Sequence, residues 1–292
     1  MAGGAGQTSQ ALVIVAYVLR ESLRRRVFAI VLVLTAGFLA LYALGARFAF
    51  SEARDFAPDD ALIVDTEAFV GGTIFGLAMF STLFLGAVLA IFLTLGVIRG
   101  DSEAGLLQPI VVRPIGRATL LLARFAGAAG LSVLYVAAVY IVTLLITLAV
   151  GDWSPDHILG PGLALALAVA IIAALSIAAS VFLTATAQGI AIFMVFGAGL
   201  TAGLLGQIGS AIGSDTIDSI SQVATLALPF DALYQAGLDA LISDTQGLTG
   251  VALQLGPFGG AEPGSPLLIL WSVAYLAAAL LISIRAFARR DL

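Results

Sequence analysis

The residues best placed to do work in this chain sit in one polar interruption. Residues 99–117 carry three arginines (Arg99, Arg113, Arg117), two acids (Asp101, Glu103), three glycines and two prolines (Pro109, Pro114). Long apolar runs flank the segment on both sides. Its charges and free backbone groups would be unsatisfied in hydrocarbon, which makes it a loop at one membrane face. Asp101 or Ser102 can cap a short helix. Glu103 then falls in the first turn, where a negative charge suits the helix dipole. Pro109 limits that helix, and Pro114 opens the next, because proline is tolerated at a first helical position. Leu106, Leu107, Ile110, Val111 and Val112 leave an apolar surface on this water-facing loop. The chemistry this predicts is the docking of a partner.

Catalytic chemistry finds little to stand on. All 13 basic residues are arginine, so no lysine is present to hold phosphates in a P-loop, and the chain is not expected to be its own ATPase. His157 is the single histidine, and with Asp152 and Asp156 it makes a weak, exposed ligand set. A surface turn is the better reading, because structural zinc sites take several Cys or His. We therefore expect no metal and no cofactor in this chain. Intramembrane serine proteolysis needs a histidine within a span, and His157 falls in a loop. Aspartyl proteolysis and proton-coupled carriage need ionisable groups in the spans, and the expected spans have none. Sodium sites built from backbone carbonyls remain open in the glycine-rich spans. Gly197, Gly199 and Gly203 read better as close helix packing.

The elements that position the loop follow from composition. The chain has 292 residues, 61% hydrophobic and 11% charged, with a mean hydropathy of +1.10. A soluble domain has about a quarter of its residues charged, so the class is integral membrane protein. There is no cysteine, hence no disulfide or thiol site, and the redox compartment is not readable. Residues 1–10 lack the positive region of a signal peptide, so the first membrane segment is expected to remain in the mature protein.

We expect an all-α membrane protein with residues 1–292 as a single transmembrane domain. Residues 8–25 form an amphipathic interfacial helix, since the apolar part Ala11 to Leu19 is shorter than the ~20 residues a span takes. Spans are expected at about 27–45, 70–98, 118–150, 161–183, 189–209 and 266–286. Residues 161–209 contain no ionisable side chain. As one helix they would reach roughly 70 Å, so they must be two spans, with the turn in the polar patch 184–189. Residues 210–265 form an external segment with short amphipathic helices over 215–228 and 230–242, where Phe230, Leu233, Tyr234, Leu238 and Leu241 repeat at helical spacing. With six spans, 11 arginines fall on the side of the two termini and two on the other, which places both termini in the cytoplasm.

Three motifs in order carry a family resemblance. They are Gly100-Asp101-Ser102-Glu103-Ala104-Gly105, Pro114-Ile115-Gly116-Arg117, and Leu121 to Gly127 with Arg124. Together they resemble the signature loop of type-2 export ABC transporter permeases. The basic amphipathic N-terminal helix, six spans and polar outer loop before span six extend the likeness over most of the chain. The segment Leu228-Pro229-Phe230-Asp231-Ala232-Leu233-Tyr234 is similar to one in the subfamily that serves copper-site maturation of nitrous oxide reductase. Two positions depart from the family pattern: Leu106 stands where Thr or Ser is usual, and Arg124 where Lys is usual.

The resemblance implies that 99–117 is a coupling helix seated in a cleft of a separate cytoplasmic ATPase. Asp101, Glu103, Gly105, Leu106, Leu107, Pro114 and Arg117 would be its working residues. It implies two ATPase copies, which hold ATP and magnesium, and a second permease in a homo- or heterodimer. The setting is the plasma membrane, with lipid as neighbour and no nucleic acid. Arg117 and Arg124 lie on one helix face at the lipid boundary, where snorkelling suits both. The competing class is a secondary carrier without ATP, or a structural membrane subunit.

Overall fold

The computed structural model describes residues 26–55, 66–95, 116–241, 243 and 263–289. Among these the regular structure is helical: α1 Arg26–Asp55, α2 Thr66–Thr94, α3 Arg117–Gly151, α4 Leu159–Phe182, α5 Ala185–Ile212, α6 Asp215–Ala227, α7 Pro229–Leu241 and α8 Pro266–Ala288. Six of them, all but α6 and α7, are long and apolar enough to cross a membrane. This is an all-helical, multi-pass membrane protein. The interfacial helix expected at 8–25 and all but the end of the segment 99–117 lie outside the described residues.

Helices outrun the expected spans where a buried face continues past the most apolar stretch. α1 runs to Asp55 instead of ending at Gly45, because Ala46, Phe50 and Ala53 recur at helical spacing and are all buried. The Phe50 ring lies so close over Gly151 that a Cβ there would collide with it. α4 and α5 are joined through Leu183 and Thr184 alone. Leu183 is extended (φ −106°, ψ 153°), and its N–H still reaches the Ala179 carbonyl at 2.9 Å. The turn expected across 184–189 is thus shorter: the Gln188 N–H closes onto the Thr184 carbonyl at 2.8 Å, so 185–189 already belong to α5.

α2 and α4 form the centre. Of their most apolar windows 67% and 61% are buried, against 17% for α1 and 22% for α8. α4 packs on α2, α3, α5, α7 and α8. Gly86 of α2 permits a close approach, leaving room for Val136 of α3 and Val169 of α4. The outer faces of α1, α5 and α8 expose Val33, Leu41, Phe48, Met194, Leu267 and Ile282. Lipid tails cover such residues at no cost. Inside, the hydroxyls of Thr82, Ser132, Thr143 and Ser283 each donate to the carbonyl four residues back, while the buried Ser272 hydroxyl of α8 has no hydrogen-bond partner among the described residues. The pairs Thr35–Tyr135 and Tyr42–Thr147 hydrogen-bond α1 to α3.

α6 and α7 differ most from the expected external helices. Gly213 (φ +67°) turns the chain back after α5, a conformation open to glycine. α6 then runs back along α5: Ser221 donates to the Ala202 carbonyl at 2.9 Å and sits over Gly206. Leu228 and Phe230 reach Gly199, near the middle of α5. α7 returns along α4 and ends where the Asp156 N–H, just before α4, donates to the Leu241 carbonyl at 3.1 Å. The two helices are a hairpin inserted among the spans. The helical repeat of Phe230, Leu233, Tyr234 and Leu241 explains it, because these side chains bury against span walls.

Candidate functional site

The charged groups separate to the two ends of the bundle. Arg117, Arg124, Arg285 and Arg289 collect at one end, and Glu52, Asp55, Glu67, Asp152, Asp156 and Asp215 at the other, together with Arg47 and Arg54. The segment 99–117 joins α2 to α3 at the arginine-rich end. Asp101, Glu103, Gly105, Leu106, Leu107 and Pro114 lie outside the described residues. Arg117 is described, as the first residue of α3, with Gly116 extended before it (φ −61°, ψ 136°). Its guanidinium donates to the Ala288 carbonyl at 3.1 Å. The last carbonyls of a helix lack intrahelical partners and carry the negative end of its dipole, so a cation belongs there. Arg117 thereby ties the start of α3 to the end of α8, beyond the snorkelling expected of it. Phe287, one residue earlier in α8, adds an apolar tie through Leu121, Ile177 and Val181.

The other anchor of the segment is the end of α2. Thr94, its last residue, is fully buried, as are Ser176 of α4 and Gln188 of α5. Gln188 Nε2 donates to the Thr94 carbonyl at 3.0 Å, to the Ser176 carbonyl at 2.9 Å and to Ser176 Oγ at 3.0 Å. Thr94 Oγ1 lies 2.7 Å from Ser176 Oγ. One amide thus caps α2 and binds it to α4 and α5. Sequence reasoning placed Gln188 in a turn and gave Thr94 and Ser176 no role. Little in the sequence signals it, because the amide shares its polar patch with Thr184, Thr186 and Gly189 and reads equally well as part of a turn. A cleft of about 530 Å³ opens beside this junction, lined by Ile91, Phe92, Leu95, Thr186, Gly189 and Phe193 among others.

Toward the acidic end, α7 brings a carboxylate inside the bundle. Asp231 is 3% exposed and accepts from Gln235 Nε2 at 2.8 Å. Both side chains rest on Gly203 of α5, where a Cβ would overlap them. Phe230 stacks on Phe196 with centroids 5.7 Å apart, and Tyr234 meets Phe80 edge-on at 6.1 Å. Asp231 belongs to the segment expected to be external, so the sequence does not count it among acids within spans. Further along α7, burial pushes the Asp239 carboxyl above its ordinary range. Arg54 lies 3.8 Å from Glu67 and 3.9 Å from Asp152, loose exposed pairs that add little stability. A second cleft, about 390 Å³, is lined there by Leu44, Arg47, Phe48, Phe50, Ser51 and Arg54 among others. Neither cleft assembles a nucleophile with a base. Among the described residues no three His, Cys, Asp or Glu converge as metal ligands.

Six apolar helices around a core almost free of charge, with a basic segment between the second and third, make this a multi-pass membrane protein. The family comparison is specific: the ABC-2 family transporter proteins match residues 12–292, and the chain belongs to that family. It is therefore the membrane permease subunit of an ABC transporter, whose partner is a cytoplasmic ABC ATPase. A comparison with curated proteins finds no match.

Proposed function

We propose that this permease belongs to an ATP-driven exporter built from two membrane subunits and two ATPase subunits. The ATPases hold ATP and magnesium, and their closure displaces residues 99–117 and switches the membrane halves. Both termini lie in the plasma membrane's cytoplasmic side, as the 11-to-two arginine split supports. The Leu228 to Tyr234 segment supports a place in the subfamily serving copper-site maturation of nitrous oxide reductase. The observation that carries the reading is Leu106 and Leu107 on a basic loop in a chain of this family. Burying each leucine against a partner contributes about 1.5–3 kcal/mol.

A secondary carrier is the competing reading, and the buried Asp231 is what favours it. One experiment separates the two. Leu106→Asp, Leu107→Asp and Glu103→Ala are compared for membrane abundance, co-purified ATPase and ATP hydrolysis. Normal abundance with weakened association in the leucine variants supports docking, because a charge would have to enter an apolar contact. Glu103→Ala should disturb hydrolysis more than insertion. Full association and hydrolysis in all three would make the loop a connector only.

A further inference from the structure

We propose that Gln188 is a positioning residue that carries movement of the 99–117 segment into the α6–α7 hairpin, with α5 as the connecting rod. The inference rests on the exporter reading above. Thr94 ends α2 a few residues before the segment. Displacement of that segment by a partner therefore enters the bundle at Thr94. The Thr94 carbonyl lies at the end of α2 in an apolar setting, where a bare acceptor is costly. The amide answers it and simultaneously holds Ser176. All three residues are fully buried, so water does not compete for these bonds.

The junction has a defined outlet. Gln188 lies in the first turn of α5, and α4 meets α5 through the two-residue corner Leu183–Thr184, so the junction grips both helices near that corner. Further along the same α5, Phe196 stacks on Phe230, Gly199 receives the Phe230 ring, and Gly203 seats Asp231 and Gln235. These contacts seat the start of α7 against α5. α5 is thus held by hydrogen bonds at the arginine-rich end and by close glycine contacts at the hairpin. A shift or roll of the helix at Gln188 changes the Gly199 and Gly203 seats, since a packed interface has discrete arrangements instead of yielding continuously. Spatial continuity alone is not coupling, and the test therefore reads the far end directly.

The experiment uses the full chain, assembled with its ATPase in lipid nanodiscs. The absence of native cysteine permits one reporter, Val223→Cys on the exposed face of α6, labelled with an environment-sensitive dye before assembly. A non-hydrolysable ATP analogue with magnesium is then added. The parent should show a nucleotide-dependent change in dye emission. Gln188→Met keeps the side-chain length and removes the donors. It should reduce that change about five-fold or more, the scale of an ordinary coupling energy, with ATPase association unaltered. Ser176→Ala removes the hydroxyl and keeps both carbonyl acceptors, and should retain most of the change. If Gln188→Met lowers abundance, Gln188→Asn takes its place: its amide is one methylene short of the two carbonyls, and the same loss is expected. A full emission change in the Gln188 variants overturns the proposal. So does a parent whose dye ignores nucleotide although ATPase is bound. A parent that binds no ATPase instead overturns the exporter reading on which the proposal rests.

Discussion

Phe230 shows at the residue scale what the hairpin depends on. It is fully buried, stacked on Phe196 and fitted over Gly199. Phe230→Ala removes a large ring from a site that cannot collapse around it, and should destabilise the protein by about 3–5 kcal/mol. Denaturant unfolding in detergent, followed by tryptophan fluorescence, measures it. A cost near zero would mean the ring is not packed as described. Asp239 makes a pH prediction. Burial raises its carboxyl above the ordinary 3.8, because loss of water costs the charged form more than the neutral one. Its stabilising effect is present below the ordinary value and is lost as pH rises through the raised one. Asp239→Asn should therefore raise the thermal midpoint at pH 7, and the advantage should vanish once the parent carboxyl is protonated. An advantage independent of pH would rule out titration as its cause. Neither Gln188 nor Asp231 was legible as important from sequence. Gln188 shares a patch with Thr184, Thr186 and Gly189 that satisfies every rule for a turn, and Asp231 lies among ordinary helix-start residues after Pro229. Only the fold reveals that both are surrounded by apolar walls.

At the scale of elements, the hairpin separates what the sequence can express from what it cannot. Helical periodicity in Phe230 to Leu241 correctly marks a helix with one apolar face. Periodicity does not say whether that face meets lipid headgroups, a partner or the bundle itself, and here it meets the bundle. The Gly213 turn is what redirects α6 inward, and a glycine in a loop carries no direction in sequence. The insertion predicts graded access from the acidic side. Thr216→Cys, near the start of α6, should react with an impermeant thiol reagent in intact cells. Leu226→Cys, near the hairpin tip, should react far more slowly until the membrane is dissolved. Equal rates would place both helices outside the membrane.

For the whole molecule, charge placement was the informative signal. The six candidate spans and the separation of arginines from acids follow from hydropathy and composition, which act over tens of residues and tolerate local error. The order of the loop motifs points to the family that the match over residues 12–292 establishes. Helix ends were harder, since α1 continues to Asp55 on the strength of Phe50 and Ala53 packing that hydropathy does not weigh. The topology has a clean test in a chain without cysteine. Ser51→Cys, Ser154→Cys and Ser243→Cys should label from outside intact cells, and Ser22→Cys and Ser102→Cys should not. External labelling at position 102 would invert the protein. The Gly203 seat also bears on biogenesis. A ribosome makes α4 and α5 before α7, so the socket exists before the plug that carries Asp231. The carboxylate thus emerges after the helix that seats it has been made. Vectorial synthesis runs in the order that limits exposure of a charge to hydrocarbon.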